Sequence, residues 1–207
     1  MLIMSKEGSI FMQKNPSLSW KPVSTKEICT TRVFTVNEIT SLSPDNEIKT
    51  FSTLSAPEWV IVIPRITDTK GQHYFLMVKQ WRHGSAHLSI EFPGGVVDEG
   101  ETPEQAARRE LLEETGKTGR NLTLLGEVYP NPAIMGNKSH IYFADCESDT
   151  QAQHLDEDEF LEAEAVPVEE VLNKMGTEPY DHALMCTALF FYQCNRAHKL
   201  GKIFHIE

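Results

Sequence analysis

Apolar residues in this chain gather in short blocks set apart by turn chemistry. Trp59-Val60-Ile61-Val62-Ile63-Pro64 is a run of strand length with no polar break, which predicts a buried strand. Asp68-Thr69-Lys70-Gly71 then reads as a turn, and His73 to Gln80 as its antiparallel partner. Upstream, Glu27 to Val36 mixes β-branched and polar residues, Ser43-Pro44-Asp45-Asn46 makes a turn, and Glu47 to Leu54 resumes an extended pattern, so an N-terminal β-hairpin is expected. Downstream, Leu122 to Val128, His140 to Asp145 and Leu161 to Val166 are further strands. Pro167 to Met175 is a short helix opened by its proline, and Asp181 to Ala197 a longer one. Strands packed between helices predict an α/β fold in three layers, α/β/α.

The best-defined helix comes from local chemistry. Thr102 supplies an N-cap hydroxyl, Pro103 the first helical position, and Gln105 the third residue of a capping box. Ala106 to Thr115 are mainly good helix formers, and Gly116 stands where a left-handed terminal residue is expected, so the helix spans Pro103 to Thr115. At 3.6 residues per turn, Glu114 lies about 40° to one side of Glu110 and Glu113 about 60° to the other. Three carboxylates on one face repel one another unless a cation sits among them, and hard oxygen donors suit Mg²⁺ or Mn²⁺. Ala106 and Ala107, one turn back, are expected to leave room for an ion and a substrate. Arg109, four residues before Glu113, is placed to orient it. Ahead of the helix, Gly94 and Gly95 let the backbone approach whatever the helix binds.

Length and charge narrow the reading. The 207 residues, 40% of them hydrophobic, suffice for one good core, and no repeat, low-complexity tract or Gly/Ser linker divides them. With 19 basic against 30 acidic residues the net charge is −11, which argues against nucleic acid or anionic membrane as partner. Cys29, Cys146, Cys186 and Cys194 show no paired ligand spacing and read as reduced. No apolar run approaches membrane-spanning length, so a cytoplasmic protein is expected. His182, His198 and His205 read as surface or capping groups. His87 and Ser89 have no acid beside them in sequence, which gives a Ser/His triad little support.

Gly95, Glu101, Arg109-Glu110-Leu111, Glu113-Glu114 and Gly116 match G-x5-E-x7-R-E-U-x-E-E-x-G-U, with U a bulky apolar residue, and in this the chain resembles the Nudix hydrolases. Lys117 stands where the last apolar residue is usual. The resemblance implies the Nudix fold, a three-layer sandwich with a mixed sheet, and division into an N-terminal β extension (1–54) and a hydrolase domain (55–207). It implies that Glu110, Glu113, Glu114 and the Gly94 carbonyl hold Mg²⁺, or alternatively Mn²⁺, supported by Glu101 through Arg109 or a metal-bound water.

Within that family, Gln80-Trp81-Arg82 followed by Glu91-Phe92-Pro93-Gly94-Gly95 is similar to a run of ADP-ribose and nucleotide-sugar pyrophosphatases. Pro132, 15 residues past Lys117, is similar to a marker of the ADP-ribose group. By that likeness Arg82, Glu91, Trp81 and Pro132 belong to substrate binding, with Arg82 on a phosphate oxygen and Trp81 available to stack on a base. In the acidic stretch Leu155 to Phe160, Glu157 is the first choice and Glu159 the second for the residue that activates water, beside Glu114 and Arg109 in the catalytic set. Ala133 and Gly136-Asn137-Lys138 depart from the usual pattern and leave the sugar and base open. The implied activity is metal-dependent cleavage of ADP-ribose or a related nucleoside diphosphate sugar into two monophosphates, by a homodimer. A GDP-sugar or dinucleotide hydrolase is the alternative. A non-cleaving sensor is disfavoured because all three glutamates are present.

Overall fold

The structure, a computed structural model, describes residues 2–4, 10–12, 18–146, 151–155 and 159–199. It divides into two compact units, Met1–Ala56 with Asn131–Gly136, and Pro57–Pro130 with Asn137–Glu207.

In the first unit β1 (Leu2–Met4) pairs antiparallel with β2 (Ile10–Met12). A separate antiparallel sheet has the order β3 (Lys21–Thr30), β4 (Thr35–Leu42), β5 (Ile48–Ser55). The expected hairpin is thus a three-stranded meander, and the stretch read as one strand from Glu27 to Val36 is broken at residues 31–34. The Thr31 hydroxyl closes that break, donating to Phe34 O (2.7 Å) and accepting from Phe34 N (3.0 Å). The Asn131–Gly136 segment joins this unit through Leu54 N, which donates to Ile134 O (2.7 Å). Every residue of β3 is exposed, and Leu18, Val23 and Ile48 are each at least 60% exposed.

The second unit holds a six-stranded mixed sheet. Its order is β11 (Leu161–Pro167), β7 (His73–Arg82), β6 (Trp59–Thr67), β10 (Ser139–Asp145), β9 (Thr123–Val128), with β8 (His87–Glu91) also on β7. Only the β6–β10 pair is parallel among the pairs described. The uninterrupted apolar run of β6 has a simple cause: both of its faces are covered. Ile61 and Ile63 pack with Phe75, Phe92 and residues of α2 (Val168–Lys174) and α3 (Ala183–Lys199), whereas Val60 and Val62 pack with Ala106, Ala107 and Leu111 of α1 (Pro103–Thr115). Phe75 meets Phe92 and Tyr192 edge-on, at 5.4 and 5.1 Å between ring centres. This is the three-layer α/β/α arrangement. Among the described residues no helix is long and apolar enough to cross a membrane.

α1 spans the predicted residues with its capping box formed. Gln105 N bonds Thr102 Oγ1 (3.3 Å), Thr102 N bonds Gln105 Oε1 (2.8 Å), and Gly116 closes the helix at φ 66°. Ala106 and Ala107 do not provide the clearance expected of them. Both are fully buried against β6, where a small side chain lets helix and sheet approach closely.

Candidate active site

The segment 93–97 is laid along β6 by backbone bonds from Val62 N to Pro93 O (2.9 Å), Val60 N to Gly95 O (2.8 Å) and Val97 N to Glu58 O (2.8 Å). That contact leaves no space for side chains. A Cβ on Gly94 would collide with the Val60 carbonyl oxygen, and one on Gly95 with the Glu110 carboxylate. The start of β6 is pinned further by buried His140, whose Nε2 and Nδ1 lie 2.6 and 3.0 Å from carboxylate oxygens of Glu58 and Glu127.

Arg109 gathers the acidic side chains. It grips Glu101 with two nitrogens (3.1 and 2.9 Å), and its third reaches Glu110 (2.7 Å) and Glu113 (3.1 Å) while Nη2 also bonds Val96 O (3.0 Å). The Arg109 guanidinium holds the Glu101 carboxyl below the usual carboxylate range. Glu114 accepts a hydrogen bond from Gly94 N (2.8 Å), which ties the helix to the glycine loop. Burial pushes the Glu110 carboxyl up to about 7 and that of Glu114 up to about 8. Arg109 works against the first shift and the Gly94 N–H against the second, whereas the charge of Glu159 raises both.

Beside this cluster lies a cavity of about 740 Å³, lined by Trp59, Trp81, Arg82, Glu91, Gly94 and Gly95 among others. Glu91 is fully enclosed, and both its oxygens are taken by Arg82, from Nε and Nη2 at 2.7 Å. The guanidinium holds the Glu91 carboxyl below its ordinary value despite the opposing and larger single effect of burial. Arg82 itself is 42% exposed at its side chain, so its outer edge remains available to an anion.

A family model described as NUDIX domain matches residues 57–185. The chain belongs to the Nudix family. It is 32% identical over 138 residues to an ADP-ribose pyrophosphatase of Bacillus subtilis (strain 168), covering 66% of this chain and 73% of the relative. It is 26% identical over 182 residues to an ADP-sugar pyrophosphatase of Mus musculus, covering 81% and 83%. A crystal structure of an ADP compounds hydrolase superposes with a TM-score of 0.74 at 23% identity, covering 88% of this chain and 97% of that one, and so has the same fold. The protein is a Nudix hydrolase.

The expected site residues divide by location. Glu101, Arg109, Glu110, Glu113, Glu114 and Gly94 come together, and Arg82 and Trp81 line the neighbouring cavity. Glu91, expected to bind substrate, has both carboxylate oxygens bonded to Arg82. Pro132 falls in the first unit. Glu157 lies outside the described residues, whereas the charge of Glu159 is felt at Glu110, Glu114 and Arg82. Residues 151–154 are docked on the end of α1 in a way no sequence signal announces. Gln151 N bonds Gly116 O (2.8 Å), His154 N bonds Glu113 O (3.0 Å), and the Gln153 amide reaches Glu114 O. The fold does bring an acid, Asp181, to within 3.5 Å of His87, but the Ser89 hydroxyl makes no well-formed hydrogen bond to the pair and no triad results. All four cysteines are unpaired.

Among the described residues no three acidic, imidazole or thiol groups stand as a ready-made cage, because Glu110 and Glu113 turn to Arg109 and Glu114 to Gly94. The donor set still fits a hard dication. Glu110 and Glu114 are 8% and 3% exposed, each raised by burial, and Glu114 is raised further by the charge of Glu110; a divalent ion would relieve that repulsion with carboxylate oxygen alone.

Proposed function

We propose that this hydrolase cleaves the diphosphate of ADP-ribose or a related ADP-sugar with Mg²⁺, Mn²⁺ serving in its place, held by Glu110, Glu113, Glu114 and the Gly94 carbonyl. A bound dication polarises phosphoryl oxygens and makes water more acidic. Arg82 holds a phosphate oxygen from the cavity side, oriented by Glu91. Arg109 and Glu101 keep the acidic side chains in register. A loop carboxylate, Glu159 or Glu157, takes the proton as water attacks phosphorus; the bridging P–O bond breaks, and the leaving phosphate carries away the electron pair. Two monophosphates result. The observation that carries this reading is the buried Glu110–Glu114 pair beside a cavity whose wall presents Arg82. The names of the two pyrophosphatase relatives support the ADP-sugar class. Phosphate release, coupled to a phosphatase, tests it over ADP-ribose, ADP-glucose, a GDP-sugar and a dinucleotide. ADP-sugars are expected to lead the panel and to need added Mg²⁺; preference for a dinucleotide or a GDP-sugar contradicts the substrate class.

Arg82→Ala should lower kcat/KM by ~10- to 100-fold, the range for losing a hydrogen bond to a charged group. It should also cost stability, about 3 kcal/mol, because enclosed Glu91 is left unpaired. Arg82→Met with Glu91→Leu should restore the melting temperature and leave substrate binding weak. Recovery of both would deny Arg82 a role in binding.

We further take residues 1–54 as an extension that pairs two copies in the cytoplasm and contributes to base recognition. The exposed apolar side chains of the first unit support pairing, and the unpaired cysteines support a reducing compartment. Sedimentation should give twice the chain mass of 23.4 kDa; the monomer mass at micromolar concentration contradicts pairing.

A further inference from the structure

Several hydrogen-bonding groups that line the cavity have no part in the mechanism above. His87 faces the same side of the β7–β8 ladder as Arg82, because the two are cross-strand partners, with Cβ atoms about 5 Å apart. Asp181 is brought alongside by Ile90 N, which bonds Pro179 O at 2.8 Å. The hydrogen bonding here is incomplete. His87 Nδ1 lies 2.8 Å from Leu88 O, a pure acceptor, so it is the protonated nitrogen. That bond, with the charge of Asp181, raises the pKa of the ring, and Nε2 faces Asp181 Oδ2 at 3.5 Å, too stretched to satisfy the carboxylate. The two carboxylate oxygens of Asp181 are left to accept from a ligand. His182 supplies the complement: its Nδ1 accepts from Leu184 N (3.2 Å), so Nε2 carries the hydrogen and is left for the cavity the residue lines. Ser89, on the same wall and 2% exposed, has a hydroxyl with no well-formed hydrogen bond, although its dipole helps hold the Glu91 carboxyl down.

We infer that His87, Asp181 and His182 form a subsite for the vicinal diol of the base-free sugar attached to the phosphate that Arg82 holds. Two adjacent hydroxyls can donate to the Asp181 carboxylate while accepting from His182, since each hydroxyl is both donor and acceptor. His87, Ser89, Asp181 and His182 give this part of the lining a polar character that suits a polyol. This assignment rests on the diphosphate-sugar reading above and deepens it, since it makes the free diol a condition of good cleavage.

The test compares ADP-ribose with an analogue lacking the 2-hydroxyl of the base-free ribose and with one lacking the 2′-hydroxyl of the adenosine. Wild type should prefer ADP-ribose to the first analogue by about tenfold in kcat/KM, and Asp181→Asn and His182→Phe should each shrink that ratio to about twofold. Cleavage of the first analogue by the variants reports that fold and catalytic centre survive. A wild-type ratio near one, a ratio unchanged in both variants, or stronger discrimination at the adenosine hydroxyl overturns the assignment. If wild type cleaves none of the three, the diphosphate reading fails by itself. Calorimetry with ribose 5-phosphate then decides the subsite separately: weaker binding by Asp181→Asn sustains it, and equal binding overturns it.

Discussion

Glu114→Gln is expected to lower turnover by about a thousandfold, the equivalent of roughly 4 kcal/mol of transition-state stabilisation, while the protein stays folded. A neutral amide keeps the shape of the side chain and can still accept from Gly94 N, so the loop should remain against the helix. What it loses is affinity for a hard cation. The same substitution has an opposite effect on stability. The Glu114 carboxyl is raised from its ordinary 4.5 to about 8 in the folded protein, so between those values the native state binds more protons than the unfolded chain. Stability of the metal-free protein therefore falls as pH rises through that window, and Glu110, raised to about 7, adds to the fall. Glu114→Gln removes part of this penalty and should raise the melting temperature of metal-free protein at pH 8, with little effect at pH 4. Added Mg²⁺ should stabilise wild type at pH 8 more than the variant. Near-normal turnover at saturating metal, or a lower melting temperature at pH 8, would contradict the role given to Glu114.

The two loop glycines should fail in different ways. At Gly95 the obstacle to a methyl group is the Glu110 carboxylate, the end of a flexible side chain that can swing aside. Gly95→Ala should thus fold normally and lose activity on the order of a hundredfold, because the group that moves is one the chemistry needs. At Gly94 the obstacle is the Val60 carbonyl in the central strand, which cannot move without breaking the pairing of the loop with β6. Gly94→Ala should lower the melting temperature as well as activity. Thermal melts beside initial rates separate the two. Equal loss of stability in both variants would mean that Gly95 serves packing and that Glu110 is not displaced.

These contrasts also explain what the sequence could reveal. α1 was readable to its end residues because its boundaries are local: the cap, the proline and the terminal glycine lie within a few positions of what they control. β6 was readable because burial on both faces leaves a continuous apolar run. The break between β3 and β4 carries no glycine or proline, only a threonine whose hydroxyl closes the turn, so the strand pattern ran through it. β8, five residues of mixed polarity, was missed because its pairing with β7 is what buries it. The glutamates could be placed on one face by helical geometry, but the role of Ala106 and Ala107 could not, since that depends on where the sheet meets the helix. Glu91 stands in a run that the sequence makes legible. Its confinement by Arg82 follows from hairpin register, and the meeting of His87 with Asp181, far apart in sequence, is a product of the fold alone.

The most direct test of the account is a calorimetric titration of Mn²⁺ at pH 8 into the protein carrying a non-hydrolysable ADP-ribose analogue, wild type beside Glu114→Gln. The account predicts saturable uptake by wild type that weakens by at least about tenfold in the variant and declines as the pH is lowered toward 6, where protons compete for Glu110 and Glu114. Absence of uptake by wild type, or equal uptake by both proteins, would contradict it.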